Sequence, residues 1–258
     1  SCKANITGAG KYLPINVITN YDMEKIVDTN NDWIQSRTGI SERRIVKHGE
    51  ATVEMSTNAI LDLMNKYSLQ ANEIDTIIVA TITPNKILPS SASQIQHNIN
   101  ANNAWGYDLS AACSGFLFAL ESGAALIESG RSKKVIVVGA DTMSSILNYK
   151  DRNTCILFGD GAGAVLLESS SKQHILASAL YSDGSLAEIL KVIQYIKMEG
   201  RAVFKAAVSK VSTAIEDFLT QHRLSVSDIS YFVPHQANIR IMYSLQEKLG
   251  FTDTQTLE

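Results

Sequence analysis

Two side chains in this sequence are of the type and setting that could do covalent chemistry. Cys113 lies in WGYDLSAACSGFLFALESGAALIESG (105–130) and His235 in YFVPHQANIRI (231–241). A cysteine attacks carbonyl carbon as its thiolate, and a histidine exchanges or donates a proton near neutral pH. Trp105 to Ala111 is apolar and alternating after the turn-forming Asn102 and Asn103, which predicts a buried strand. From Ser114 the spacing turns helical, with Phe116, Leu117, Leu120, Ala124 and Ile127 as the apolar face and Gly130 as the stop. Cys113 is therefore expected where a strand hands over to a helix N-terminus, whose free N–H groups and dipole favour a thiolate and an oxyanion. A free cysteine that merely packs suits the same place. His235 follows a predicted buried strand, Ile229 to Val233, and precedes a predicted helix, Asn238 to Leu249. A structural histidine is the alternative there, but ligands of α/β sheets collect at the carboxyl ends of strands. A cysteine at one such end and a histidine at another make a joint site the stronger reading. His48, His97, His174 and His222 stand in polar or helical settings with nothing to recruit them.

The elements that must position these residues form an α/β pattern. A 258-residue chain with 45% hydrophobic and 19% charged residues has ample material for a core. A net charge of −3 and a pI near 6.0 argue against general nucleic-acid binding, so an acidic partner would need a local basic patch. Cysteines at 2, 113 and 155 show neither disulfide nor metal spacing, which implies a reducing compartment. No apolar run reaches the roughly 18 residues of a membrane span, and the first residues lack a signal-peptide core. The expectation is a cytoplasmic protein without membrane association or metal.

Ala4 to Leu13 predicts a strand, Met23 to Val27 a short helix capped by Thr19, Asn20 or Asp22, and Thr52 to Tyr67 an amphipathic helix. IDTIIVA (74–80) and KVIVVGA (134–140) are continuous apolar runs, hence strands buried on both faces, with a helix at Ser90 to Asn98 between them. Trp33 and Arg37 stand one helical turn apart, and with Arg43 and Arg44 nearby an exposed indole suits a flat aromatic or anionic ligand; a half-buried Trp with solvated arginines is the alternative. CILFGDGAGAVLL (155–167) resembles a phosphate loop only in its glycines. No Gly-Lys-Ser/Thr follows, and strand, glycine turn, strand or close backbone packing fits better. His174 to Tyr181 predicts another strand and Phe204 to His222 a long helix.

An internal repeat runs through the chain. SLQANEIDTIIVAT (68–81) and RLSVSDISYFVPH (223–235) each follow a predicted helix, and a shift of 155 aligns Leu69 with Leu224, Glu73 with Asp228, Ile74 with Ile229 and Ile77 with Phe232. Two related α/β halves are expected, 1–170 carrying the cysteine and 171–258 the histidine. On this reading a second half of equal build would need more residues than follow Val233, so the chain reads as incomplete there.

NDWIQSRTGISERRI, DLSAACSGFLFAL, FGDGAGAVLL and VPHQANIRI, in this chain order, together resemble the β-ketoacyl-acyl-carrier-protein synthase III family, the initiating condensing enzymes of bacterial type II fatty-acid synthesis. The resemblance spans nearly the whole chain. It implies a thiolase-like α/β fold of two related halves in a layered α/β/α/β/α sandwich, a homodimer, and no cofactor beyond the CoA thioester substrate. It implies that Cys113 takes an acyl group, usually acetyl, from acyl-CoA, and that malonyl-acyl-carrier protein then loses CO₂ and condenses with it, with His235 bonding the developing enolate. Trp33 and Arg152 would hold the CoA adenine between them, with Arg37 and Arg152 near its phosphates. Leu88 would line the acyl pocket of the partner subunit where relatives often carry Phe. Gln236, Ala237, Asn238, Ile239, Arg240 and Lys248 would meet the carrier protein, with Lys205 and Lys210 adding to the basic patch and Asn238 supporting His235. Two departures stand out. The family's Gly-Asn-Thr-Ser motif, with its catalytic Asn, does not occur here. The family also carries further residues between SDGS (182–185) and YIKMEGRAVFK (195–205), which would fall between Leu190 and Lys191. Other condensing enzymes of the same fold, such as hydroxymethylglutaryl-CoA synthases and polyketide or quinolone synthases, and a non-catalytic carrier-protein-binding subunit are the rival readings.

Overall fold

The computed structural model describes residues 3–257; Cys2, counted above among the thiols, lies outside them. In chain order the elements are β1 (Lys3–Tyr12), β2 (Asn16–Thr19), α1 (Asn20–Met23), α2 (Asn31–Thr38), β3 (Glu42–Ile45), α3 (Thr52–Tyr67), β4 (Thr76–Ala80), α4 (Ser91–Asn98), β5 (Trp105–Leu109), α5 (Gly115–Glu128), β6 (Lys134–Thr142), α6 (Arg152–Cys155), β7 (Asp160–Ser170), β8 (Leu190–Val192), β9 (Ile196–Met198), α7 (Gly200–Gln221) and α8 (Ile239–Leu249). They divide into two compact units. The first comprises the described residues up to Val17 with Arg44–Ser145 and Gly159–Leu180; the second comprises Ile18–Arg43, Ile146–Phe158 and the described residues from Tyr181 on. The segments around Met23, Ile34, Cys155 and Ile156 share an apolar cluster of their own and so belong with the second unit.

The first unit is built on a five-stranded sheet ordered β1-β7-β6-β4-β5, with β4 parallel to β5 and β6, and β7 antiparallel to β1 and β6. The two end-to-end apolar runs are its central strands because alternate residues bury opposite faces. Ile77, Val79, Ile136 and Val138 pack against α3 and α4. Ile78, Ala80, Val135 and Val137 pack against α5. α5 lies close to the sheet because small residues at helical spacing, Gly115, Ala119 and Gly123, face it together with Ile127. A Cβ on Gly123 would come within 2.8 Å of Leu167 Cδ1. The apolar face expected from the large side chains is thus rotated, leaving Leu117 60% exposed. β5 is an edge strand with partly exposed residues, not the buried strand expected.

Three other expectations differ. The glycines of 159–163 enter and run inside one continuous strand, β7, preceded by the short α6, so they form no hairpin turn. His174 to Tyr181 forms no strand: the Asn5 side chain donates to Lys172 O at 2.8 Å and accepts His174 N–H at 2.8 Å, anchoring the start of the stretch where no ladder forms. The helix expected at Met23 to Val27 is α1, one turn earlier, because Thr19 and Asp22 form a reciprocal capping box.

In the second unit α7 and α8 pack through Ile215, Ile241, Leu245 and Leu249. Leu190 and Lys191 both fall in β8, which pairs with β9 as a short hairpin. The sequence repeat is also a repeat of backbone conformation at the same shift. Ser68 and Arg223, after α3 and α7, have φ of 53° and 57°. Leu69 N–H donates to Met64 O at 3.0 Å, and Leu224 N–H to Leu219 O at 2.9 Å. A single 3₁₀ turn follows each, closed by Gln70 N–H on Glu73 in one and Ser225 N–H on Asp228 in the other, both at 2.8 Å. After that the two diverge. Residues 76–80 become the central strand β4, whereas the strand expected at Ile229 to Val233 is reduced to a single parallel bridge between Phe232 and Thr256.

Candidate active site

Cys113 is solvent-exposed and sits in the single 3₁₀ turn Ala112–Ser114 that leads into α5. The residue before it, Ala112, has φ of 47°, a left-handed conformation that costs a residue with a Cβ on the order of 1–2 kcal/mol. That strained junction turns the chain sharply from β5 into α5 and presents Cys113 at the carboxyl end of a strand. The helix-terminus argument predicted a thiolate, yet the thiol is pushed up from its ordinary value. Desolvation by the dense protein behind it is the larger cause and the Asp141 carboxylate the second. Leu88, on the loop between β4 and α4, is 84% exposed beside the 99% exposed Ile87. Both thus present an apolar tip to solvent.

Trp33, Arg37 and Arg152 come together in the second unit. α2 is capped by Asn30 on Trp33 N–H at 2.8 Å, and it places Arg37 with its guanidinium carbon 4.7 Å from the Trp33 ring centroid. Arg152, at the start of α6, reaches the same ring at 5.0 Å. The Asp28 carbonyl accepts from Arg152 Nη1 at 3.1 Å, a tether absent from the sequence reading. Arg43, expected beside the indole, is instead buried: its Nε and Nη2 donate to Ile156 O at 2.9 and 2.7 Å and its Nη1 to Asn20 Oδ1. Arg44 donates to Pro14 O at 3.2 Å.

His235 is exposed and belongs to the second unit, whereas Cys113 belongs to the first. Desolvation pushes the imidazole below its ordinary value, so it is neutral at pH 7 with one N–H to donate. Its carbonyl accepts Ala237 N–H at 3.0 Å in the turn before α8. Asn238 is the cap of that helix, its Oδ1 accepting Arg240 N–H at 2.9 Å. Gln236 Nε2 donates to Pro234 O at 3.1 Å and Leu257 O at 3.0 Å. Ile239 packs on Gly39, whose φ of 74° ends α2 and where a Cβ would come within 3.0 Å of the Ile239 side chain. One helix end thus seats both the Trp33 helix and the His235 helix. Arg240, Lys205 and Lys248 are exposed, Arg240 lying 5.8 Å from the Phe204 ring, while Lys210 is paired with Asp183 at 2.6 Å.

Comparison with known proteins agrees with the motifs. The model of 3-oxoacyl-[acyl-carrier-protein] synthase III matches residues 107–184, and that of its C-terminal part matches 219–258. β-Ketoacyl-[acyl-carrier-protein] synthase III of Chlorobaculum tepidum is 45% identical over 276 residues, covering 99% of this chain and 84% of the relative. The chain belongs to the 3-oxoacyl-[acyl-carrier-protein] synthase III family. The crystal structure of the Aquifex aeolicus member superposes with a TM-score of 0.95 at 43% identity, over 99% of this chain and 83% of that one. The priming β-ketosynthase of the R1128 polyketide pathway does so with a TM-score of 0.94 at 33% identity, over 99% and 81%. The fold is accordingly the thiolase-like α/β fold of this family, whose members are condensing enzymes of the acyltransferase type. Among the described residues no helix is long and apolar enough to cross a membrane, and no three His, Cys, Asp or Glu side chains gather as a metal group.

Proposed function

We propose that this chain carries out the initiating condensation of fatty-acid synthesis, with Cys113 as the acyl carrier. The observation that carries the reading is the strained turn at Ala112, which presents a solvent-exposed thiol at the start of α5 in a chain of this family. Cys113 Sγ bonds to the carbonyl carbon of an acyl-CoA, acetyl-CoA first among them, as the bond to the CoA sulfur breaks and CoA leaves with the thiol proton. The Cys113 N–H supports the oxyanion. Malonyl-acyl-carrier protein then loses CO₂, and its carbanion attacks the acyl group and frees Cys113. His235 donates its N–H to the malonyl thioester oxygen as the enolate forms. The product is 3-oxoacyl-acyl-carrier protein.

Trp33, Arg37 and Arg152 take the adenine and phosphates of CoA, the indole supplying a stacking surface and the two guanidinium groups charge. Arg240, Lys205 and Lys248 attract the acidic carrier protein, and the other residues of 236–239 shape the surface beside them. No step calls for a cofactor, since the two thioesters supply the activation. The free edge of β5, with Trp105 and Tyr107 stacked at 6.2 Å, supports a homodimer in which two copies join edge to edge. Leu88 would then reach the acyl pocket of the second copy. A substrate panel tests the reading: acetyl-CoA with malonyl-acyl-carrier protein should give an acetoacetyl product, and turnover only of acetoacetyl-CoA with acetyl-CoA would point to a hydroxymethylglutaryl-type synthase instead.

A further inference from the structure

Asp141 closes the apolar run of β6, and its carboxylate is committed. Its Oδ1 accepts three hydrogen bonds, from Ile82 N at 2.8 Å, Thr83 Oγ1 at 2.9 Å and Thr81 Oγ1 at 3.0 Å. Thr81 N–H donates to Leu109 O at 3.1 Å, and Thr142 N–H to Thr83 Oγ1 at 2.8 Å. The carboxylate ties residues 81–83 to the end of β6, and the Thr81 backbone N–H ties them to the end of β5.

The register of α5 brings Cys113 to this place. Val135 and Val137 of β6 face α5, so the alternation puts Gly139 and Asp141 on the same side. Stepping along β6, a Cβ on Gly123 would meet Val137 at 3.1 Å, and one on Gly139 would meet Phe116 at 3.3 Å. Beside Gly139 in the ladder, Ala80 would meet a Cβ on Gly115 at 3.2 Å. One more step along β6 is Asp141, and the residues before Gly115 are Ser114 and Cys113.

We propose that Asp141 is a positioning residue for Cys113, holding the 81–83 segment beneath the nucleophile and setting its carboxylate against it. The inference rests on the reading of Cys113 as the acylated residue. The acidic groups nearest on the surrounding elements have partners of their own: Asp108 of β5 accepts from Ser91 N at 2.7 Å and Ala92 N at 2.8 Å, and Glu121 of α5 accepts from Ser178 Oγ. Asp160 of β7 accepts from Val46 N at 2.9 Å and from Ser144 N and Oγ at 2.8 and 2.6 Å. Glu54 of α3 accepts from Ala51 N and Asn85 Nδ2, both at 2.9 Å. Asp141 is the charge that adds to burial in pushing the Cys113 thiol up.

The test is the pH–rate profile for alkylation of Cys113 by iodoacetamide, read by peptide mapping, in wild type and Asp141→Asn. Asparagine keeps a carbonyl oxygen for the three donors and removes the charge. The inflection should move down by about one pH unit, and the rate at pH 7 should rise about threefold, since a less basic thiolate is also a weaker nucleophile. An unmoved inflection in a folded variant overturns the proposal. Should that variant not fold, Thr81→Val, which removes one donor from the Asp141 carboxylate, is measured in its place: a moved inflection supports the proposal and an unmoved one overturns it. Normal alkylation without acetylation by acetyl-CoA would sink the functional reading and leave the relation between Asp141 and Cys113 standing.

Discussion

The Arg152 guanidinium carbon lies 5.0 Å from the centroid of the Trp33 ring, a direct cation–π contact across distant parts of the sequence. A base stacked between the two needs about 7 Å, two contact distances, so the proposed adenine site requires Arg152 to swing off the indole and away from Asp28. In that proposal Trp33 supplies the stacking surface and Arg152 closes over it. Trp33→Ala should raise KM for acyl-CoA by about tenfold through lost stacking and leave KM for malonyl-acyl-carrier protein unchanged. Steady-state kinetics with each substrate varied in turn checks this, and equal increases in both constants would remove the assignment.

His235 is assigned to the second half-reaction only. His235→Ala should acetylate at Cys113 as wild type does and condense about 10²- to 10³-fold more slowly, the loss typical of one oxyanion donor. Because desolvation by the chain around it pushes its imidazole down, the neutral donor persists in acid. Condensation by pre-acetylated enzyme should therefore hold through pH 6.5 and fall only below it. A loss centred at or above 6.5 would contradict the assignment.

Arg240 is exposed at the start of α8, beside Phe204. Arg240→Glu should raise KM for malonyl-acyl-carrier protein several-fold and make it less salt-dependent, since a charge that steers an acidic partner is screened by salt. The acyl-CoA constant should stay put. The reverse order of effects would place the carrier-protein surface elsewhere.

Cys155 is the internal control. It is buried, and desolvation followed by the Asp151 charge pushes its thiol up to about 11. A group raised in the folded state gives stability that is whole below its unfolded value and lost as pH rises through the folded one. Stability should therefore decline between about pH 9 and 11 by on the order of 2 kcal/mol more in wild type than in Cys155→Ala, measured by urea unfolding. The native protein should not alkylate at Cys155 at pH 8, and acyl transfer should survive Cys155→Ala.

Much of this was legible because it is written in large apolar side chains and in residues with strong local preferences. α3 appears at Thr52–Tyr67 as its periodicity predicts, and β4 and β6 are the buried centre of the sheet. The repeat, read from four aligned residues, extends to matched left-handed residues at Ser68 and Arg223 that no residue type announces. What stayed hidden was written in small or polar residues. Gly115, Ala119 and Gly123 face the sheet because they allow close approach, whereas hydrophobicity alone selects Leu117. The glycines of β7 look like a turn yet run straight, because ladder partners on both sides fix the backbone. Ala112 gives no sign of its strained φ. An Asp ending the apolar run KVIVVGA was the one available signal for Asp141.

The most direct test of the account is the intact mass of the purified protein after incubation with acetyl-CoA, followed by peptide mapping. The account predicts one acetyl group, on Cys113, in wild type and His235→Ala, and none in Cys113→Ala. Acetylation that persists in Cys113→Ala, or a wild-type protein that takes up no acetyl group, would contradict it.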